Sequence, residues 1–414
     1  MKFCENRRMW WERERLYLEG KTFFIGGVEL KELLKAEEVG DQPVYIYDTE
    51  RIKERVGRLK EALEALGEGA RGFYAMKANR NPALLECIRE TGLGVDVCSP
   101  GELALALEAG FLVENISFTG TSLSRMDWKR LQGVERSGDL RMNCDGLSAV
   151  KKWMEWERFR EGSAGLGVRM DPGVGVGYRE NPMLEYAGKE RGKFGVGPEQ
   201  VEELKALCEK HGVKLKRVHW HAGCGFLKQW GRVEKIIEEG MKFVKQFDTV
   251  EEINLGGGLG VPLQEDDGEF EIERWVEVVK KQVAGRYQVQ VEPGAFLVQD
   301  SGVLVAEITY VEKRGGKWFV GVNAGFPLLI EPVFYGMPCQ PVLIKQGKGT
   351  AGVQKGERVK VVGNINEGLD QFGEWDGFEG VEEGDWVAFL NAGAYAAAMA
   401  SNHCLRGKYQ ETVI

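Results

Sequence analysis

Histidine is scarce in this chain, with four among 414 residues. Only one pair is closely spaced, His219 and His221. The eight cysteines are scattered and include no C-x-x-C pair. Together these absences speak against a zinc site or a disulfide framework, and they predict reduced thiols in a cytoplasmic protein without a bound metal. Positive charge is also in deficit: 55 Lys and Arg face 64 Asp and Glu, a net charge of −9. That disfavours a nucleic-acid footprint. No long hydrophobic run is present. The longest, residues 389–400, is interrupted by Asn391 and is too short for a membrane span. Residues 1–11 carry Glu5, Arg7 and Arg8 without an apolar core, so no signal peptide is expected there. Proline is low at 12, while glycine reaches 56, roughly twice ordinary usage. The glycines follow no triplet period, which excludes collagen.

What is present is an alternating pattern. Between residues 71 and 294, short β-type runs at 72–78, 93–98, 115–120, 140–144, 166–171, 214–221, 251–255 and 288–292 alternate with helical periods. Ser99-Pro100-Gly101-Glu102 reads as a helix start, with Ser99 as cap and Glu102 completing a capping box. Residues 50–66, 230–247 and 272–283 place apolar side chains at steps of three or four. Eight strands separated by helices argue for parallel pairing, and eight is the number that closes a (β/α)8 barrel. Residues 161–197 read as a long loop. After about residue 296 the pattern turns β-rich, with no clear long helix before the Ala-rich run near Tyr395. Residues 22–49 could lend strands to that region. The expected organisation is an N-terminal segment, 1–45, contributing to a β-domain; a TIM-type barrel, 46–295; and a C-terminal β-domain, 296–414, with substrate and interface loops.

Active residues of such barrels sit at the C-terminal ends of the strands. Lys77 reads as the only charge in an otherwise apolar strand: either a snorkelling rim lysine or a Schiff-base lysine activated by burial. His219 and His221 lie on one face of a strand; His219 reads as a packed barrel residue. Gly256, Gly257 and Gly258 could let backbone N–H groups approach a phosphate. Glu292 closes the last strand and could pair with a cationic ring nitrogen or with a lysine. Lysine, imidazole, glycine loop and carboxylate together describe a pyridoxal phosphate (PLP) site.

On these motifs the chain resembles the barrel-type (fold type III) PLP-dependent decarboxylases, the diaminopimelate and ornithine decarboxylase family. The resemblance runs from about residue 43 to 407. It includes F-Y-A-M-K-A-N at 73–79, G-V-D-V-C-S-P-G-E-L at 94–103, K-F-G at 193–195, H-A-G at 221–223, L-G-G-G-L-G at 255–260, E-P-G at 292–294, G-N-I-N-E-G-L-D at 363–370 and G-A-Y at 393–395. It implies that Lys77 holds the PLP aldehyde, His221 stacks on the ring, and Gly256 to Gly258 with Tyr395 bind the phosphate. Glu292 would keep the ring nitrogen protonated, with Asp96 near Lys77. Asn366, Glu367 and Asp370 match a loop that in this family crosses a homodimer interface, Asn366 and Glu367 as catalytic neighbours and Glu367 and Asp370 as substrate contacts.

Four departures bear on substrate. Ala295 stands where the family usually has arginine after E-P-G. Cys224 replaces a phosphate-binding serine, and Asn366 replaces a cysteine. Diaminopimelate decarboxylases typically read L-I-R-P-x-x-Y, with the arginine gripping the distal carboxylate; here Glu331 occupies that place, ahead of Tyr335. A carboxylate facing a carboxylate is costly unless one protonates. The expectation is therefore a PLP-dependent α-decarboxylase of a small-molecule amino acid with a basic distal group, of the lysine, ornithine or arginine type, or a derivative of one. meso-Diaminopimelate is the alternative. An amino-acid racemase and a non-catalytic, decarboxylase-like regulatory partner remain rivals. No nucleic acid or membrane partner is expected.

Overall fold

The computed structural model describes residues 9–36, 42–134, 140–155, 165–187, 192–283, 285–346 and 352–414. These form two compact units: Lys53–Val261 with Phe270–Leu297, and the described part of Met1–Ile52 with Pro262–Glu269 and Val298–Ile414. Among the described residues no helix is long and apolar enough to cross a membrane.

The first unit is a closed barrel of eight parallel strands: Arg71–Ala75, Gly94–Val97, Ile116–Phe118, Arg141–Cys144, Leu166–Arg169, Leu215–His219, Glu252–Asn254 and Gln288–Val291. They pair in chain order, and the last closes on the first through Gln290 opposite Arg71 and Val291 opposite Gly72. The strands are three to five residues long and bury side chains on both faces, as parallel strands covered by helices must. The helices follow the sequence periods. Ile272–Val283 buries Ile272, Trp275, Val276, Val279 and Val283 along one stripe, each contributing about 1.5–3 kcal/mol by leaving water. Ser99 caps Pro100–Glu108 by accepting the Glu102 N–H. The Glu102 carboxylate reaches one residue further back than a capping box requires and accepts the Cys98 N–H at 2.8 Å.

Two elements differ from the sequence reading. The first strand stops at Ala75, and Met76–Ala78 form a 3-10 turn. Pairing ends where Ala75 lies opposite Asp96; the Ala75 N–H turns to the Pro293 carbonyl, and the Tyr74 hydroxyl ties down the Asn79 carbonyl. Lys77 is therefore aimed by a turn and not by strand alternation. The long segment before the sixth strand holds the expected strand, as Leu166–Arg169, followed by loop with short turns at Tyr178–Glu180 and Pro182–Leu184; residues 161–164 and 188–191 lie outside the described residues. The Ala-rich run forms only the turn Ala397–Met399. Asn391 and Tyr395 adopt left-handed φ values of 58° and 54° that break any helix.

The second unit is β-rich. Leu16–Glu19, Thr22–Ile25 and Val28–Glu29 form a three-stranded antiparallel sheet of their own. Val44–Tyr47 instead joins the main sheet, antiparallel to Gly302–Arg314 and parallel to Gln410–Val413. Trp11, Phe23, Ile25, Val44, Ile46 and Val303 share one buried apolar cluster, which ties the N-terminal strands into this unit.

Candidate active site

The barrel gathers Lys77, Asp96, His221, Cys224, Gly256, Gly257, Gly258 and Glu292 at the C-terminal ends of its strands. Lys77 is solvent-accessible between buried Met76 and Ala78. Enclosure by the barrel works against its charge, but Asp96, then Cys224, Cys98 and Glu292, outweigh it and raise its pKa. Asp96 is buried and its Oδ1 has no partner. Burial, then the charge of Glu292, pushes it well above the carboxylate range. Glu292 is equally buried, yet stays below that range. Burial is overcome there by His219, whose Nε2 lies 3.0 Å from Oε2, and by donors from Ser117 (Oγ to Oε1, 2.7 Å) and Asn254 (Nδ2 to Oε1, 2.6 Å). Two neighbouring carboxyls are thus split: its donors hold Glu292 down, while burial and the Glu292 charge push Asp96 up.

Gly257 donates its N–H to His221 Nδ1 at 3.1 Å. That contact requires a bare Nδ1, so the proton sits on Nε2, which is buried without a partner. Burial, then the charges of Lys77 and Arg169, hold the ring neutral. The loop that makes this contact must be glycine: a Cβ on Gly256 would lie 2.4 Å from the Trp220 carbonyl oxygen, and one on Gly258 would lie 2.5 Å from that of Gly223. The Gly256 N–H is spent on Asn254 Oδ1 at 2.9 Å. Among the described residues no protein acceptor faces the Gly258 N–H.

Several members of this constellation carried no motif. Ser117, His219 and Asn254 are the polar residues of otherwise apolar strand ends. Asp96 and Ser117 are direct register partners, as are Arg169, His219 and Asn254 in turn. The Arg169 guanidinium stacks 4.1 Å from the Phe194 ring of K-F-G, and Gly195 of the same motif donates to Asp145. Tyr186 approaches His221 edge-on at 5.1 Å, and its hydroxyl lies 3.1 Å from the Cys224 thiol. The only advance signal for the strand residues was period-two polarity; Tyr186 had none.

The remaining sequence candidates belong to the β-rich unit. Glu331 lies in the short helix Ile330–Phe334 and accepts one hydrogen bond, from Gln299 Nε2 at 3.2 Å. Among the described residues no cation pairs with it, and burial pushes its carboxyl up to about 8. Tyr335 follows, half-buried. Asn366 and Glu367 are exposed, and Glu367 contacts His403 Nε2 at 2.9 Å. Asp370 turns inward instead: its two oxygens accept the N–H groups of Phe326 and Ile365, each at 2.7 Å. Tyr395 is half-buried on its left-handed backbone.

The orphaned Asp96 and His221 atoms, the obligatory glycine loop and the charged Glu292 at the strand ends fit PLP. The barrel and its site therefore define the class as that of barrel-type pyridoxal enzymes. A family model described as "Pyridoxal-dependent decarboxylase, pyridoxal binding domain" matches residues 49–299. Diaminopimelate decarboxylase of Methanothermobacter thermautotrophicus is 31% identical over 94% of this chain and 90% of its own length; that of Bacillus subtilis is 30% identical over 92% and 87%. Among solved structures, diaminopimelate decarboxylase from Helicobacter pylori complexed with L-lysine aligns with TM-score 0.80 at 25% identity, covering 92% of this chain and 94% of that one. The arginine decarboxylase of Paramecium bursaria Chlorella virus bound to agmatine shares the fold, with TM-score 0.78 at 16% identity over 93% and 99%. The chain belongs to the pyridoxal-dependent decarboxylase family. It is a PLP-dependent carboxy-lyase acting on an amino acid.

Proposed function

We propose that the chain decarboxylates, at the α-carbon, an amino acid whose distal end is basic, of the lysine, ornithine or arginine type or a derivative, releasing CO2 and an amine. The observation that carries this reading is Glu331. It stands where relatives of the family place an arginine, and among the described residues no protein cation neutralises it. A substrate ammonium or guanidinium would draw off its proton and supply the missing partner. Ala295 removes a second arginine the family pattern would offer to an anion.

When bound, PLP supplies the electron sink for the pair left behind by the departing carboxylate. The chain's own groups do the rest. Lys77 holds the cofactor's aldehyde end and, once displaced, is an amine able to carry a proton to or from the reacting carbon. Asp96 sits beside it and raises its pKa. His221 packs against the ring and offers its Nε2–H. Glu292, charged, holds the proton on the ring nitrogen. The free Gly258 N–H, with the Cys224 thiol, would serve the phosphate; the family resemblance gives Tyr395 the same task.

meso-Diaminopimelate is a second reading, favoured by the names of the relatives and by the uncharged state of Glu331 near neutrality, which would let it donate to a distal carboxylate. Glu331→Arg separates the two. It is expected to move the ratio of kcat/KM values toward meso-diaminopimelate by about 10- to 100-fold; an unchanged ratio would overturn the role given to Glu331.

We also propose a cytoplasmic homodimer with shared sites. The exposed side chains of Phe334, Leu369 and Leu405 support an interface on the β-rich unit. No disulfide joins the described cysteines, which suits a reducing compartment.

A further inference from the structure

We infer that His219 is the positioning residue of Glu292, fixing Oε2 as the one carboxylate oxygen that accepts the hydrogen bond of the cofactor's protonated ring nitrogen. This rests on the role proposed above for Glu292. A carboxylate offers about four lone-pair sites, two on each oxygen. On Glu292 Oε1 both are used, by Ser117 Oγ at 2.7 Å and Asn254 Nδ2 at 2.6 Å. Oε2 has one donor, His219 Nε2 at 3.0 Å, so a single site remains open on the whole group. Water does not compete for it, because Glu292 is 6% and His219 2% exposed.

The three donors come from three strands, Ile116–Phe118, Leu215–His219 and Glu252–Asn254. The carboxylate cannot rotate to present Oε1 without breaking all three bonds. The titratable and cationic groups facing it are His219, Asp96, Lys77 and Arg169. Of these only His219 bonds to it. Removing His219 leaves the other oxygen fully bonded but deprives Oε2 of the contact that holds its place and its charge. His219 thus acts through Glu292 and not on the substrate.

The test uses the full chain reconstituted with PLP labelled with 15N in the ring. The 15N chemical shift separates a protonated from a bare ring nitrogen, and fluorescence quenching gives the cofactor Kd. The wild type is expected to show the protonated nitrogen at pH 7. In His219→Ala the nitrogen is expected to lose its proton at that pH, and Kd to rise about tenfold, the loss of one charge-assisted hydrogen bond. His219→Gln, whose amide can reach Oε2, is expected to restore both readouts. Should His219→Ala not fold, His219→Asn, polar but too short, is the substitute with the same expectation. A null variant that keeps the nitrogen protonated and the Kd unchanged would overturn the inference. A wild type whose nitrogen is already bare would instead sink the Glu292 assignment itself.

Discussion

Asn254 donates to Glu292 at 2.6 Å, while the oxygen of the same amide accepts the Gly256 N–H at 2.9 Å. One side chain therefore couples the carboxylate meant for the ring nitrogen to the glycine loop meant for the phosphate. Asn254→Ala is expected to weaken PLP binding by about tenfold or more, since two buried hydrogen bonds go at once. Asn254→Asp should be worse than Ala, because it sets a second carboxylate against Glu292. Equilibrium PLP titration checks the order; Asp binding as well as wild type would refute the coupling.

Glu331 makes stability depend on pH. Its folded carboxyl keeps its proton to about 8, while the unfolded one releases it near 4.5. Between those values the folded state holds more protons, so stability falls as pH rises. Glu331→Gln removes this penalty. Thermal unfolding of the variant at pH 8 is expected to exceed wild type by about 2–4 °C, the shift produced by roughly 1 kcal/mol, with no gain at pH 4.5.

Asp370 is the staple of its loop. Asp370→Ala leaves the Phe326 and Ile365 N–H groups without their acceptor, at roughly 1–3 kcal/mol each. Urea unfolding should show a midpoint loss of that order, with Asp370→Asn in between. If Asp370 is instead chiefly a substrate contact, KM would change while the unfolding midpoint stayed put.

Shared sites across a homodimer can be checked by mixing. Lys77→Ala and Glu367→Gln homodimers are each expected to be nearly inactive. Exchanged heterodimers would hold one site with both intact residues, so unfolding and refolding an equal mixture should restore about a quarter of wild-type activity. No recovery would contradict interlocked sites.

Much of the barrel was legible in the sequence, because parallel strands and helices carry opposite periods. Seven of the eight strands fall within one or two residues of their expected bounds; the first ends three residues early, at Ala75. Lys77 and His219 show where periodicity runs out. The turn that aims Lys77 depends on the Pro293 carbonyl, more than 200 residues away in the chain, which no local pattern encodes. His219 looks like packing until Glu292 is seen 3.0 Å away. Ser117 is the middle residue of a three-residue strand, too short to display an alternation. Glu367 and Asp370 stand three residues apart in one motif, yet the turn in which the Asp370 N–H donates to the Glu367 carbonyl at 3.1 Å sends one side chain outward and the other into the unit. The motif made both of them substrate contacts.

The most direct measurement of the central claim is CO2 release by the PLP-loaded chain from carboxyl-labelled L-lysine, L-ornithine, L-arginine and meso-diaminopimelate, assayed side by side. At least one basic amino acid is expected to give a kcat/KM about tenfold or more above that of meso-diaminopimelate. Release from meso-diaminopimelate alone would contradict the account.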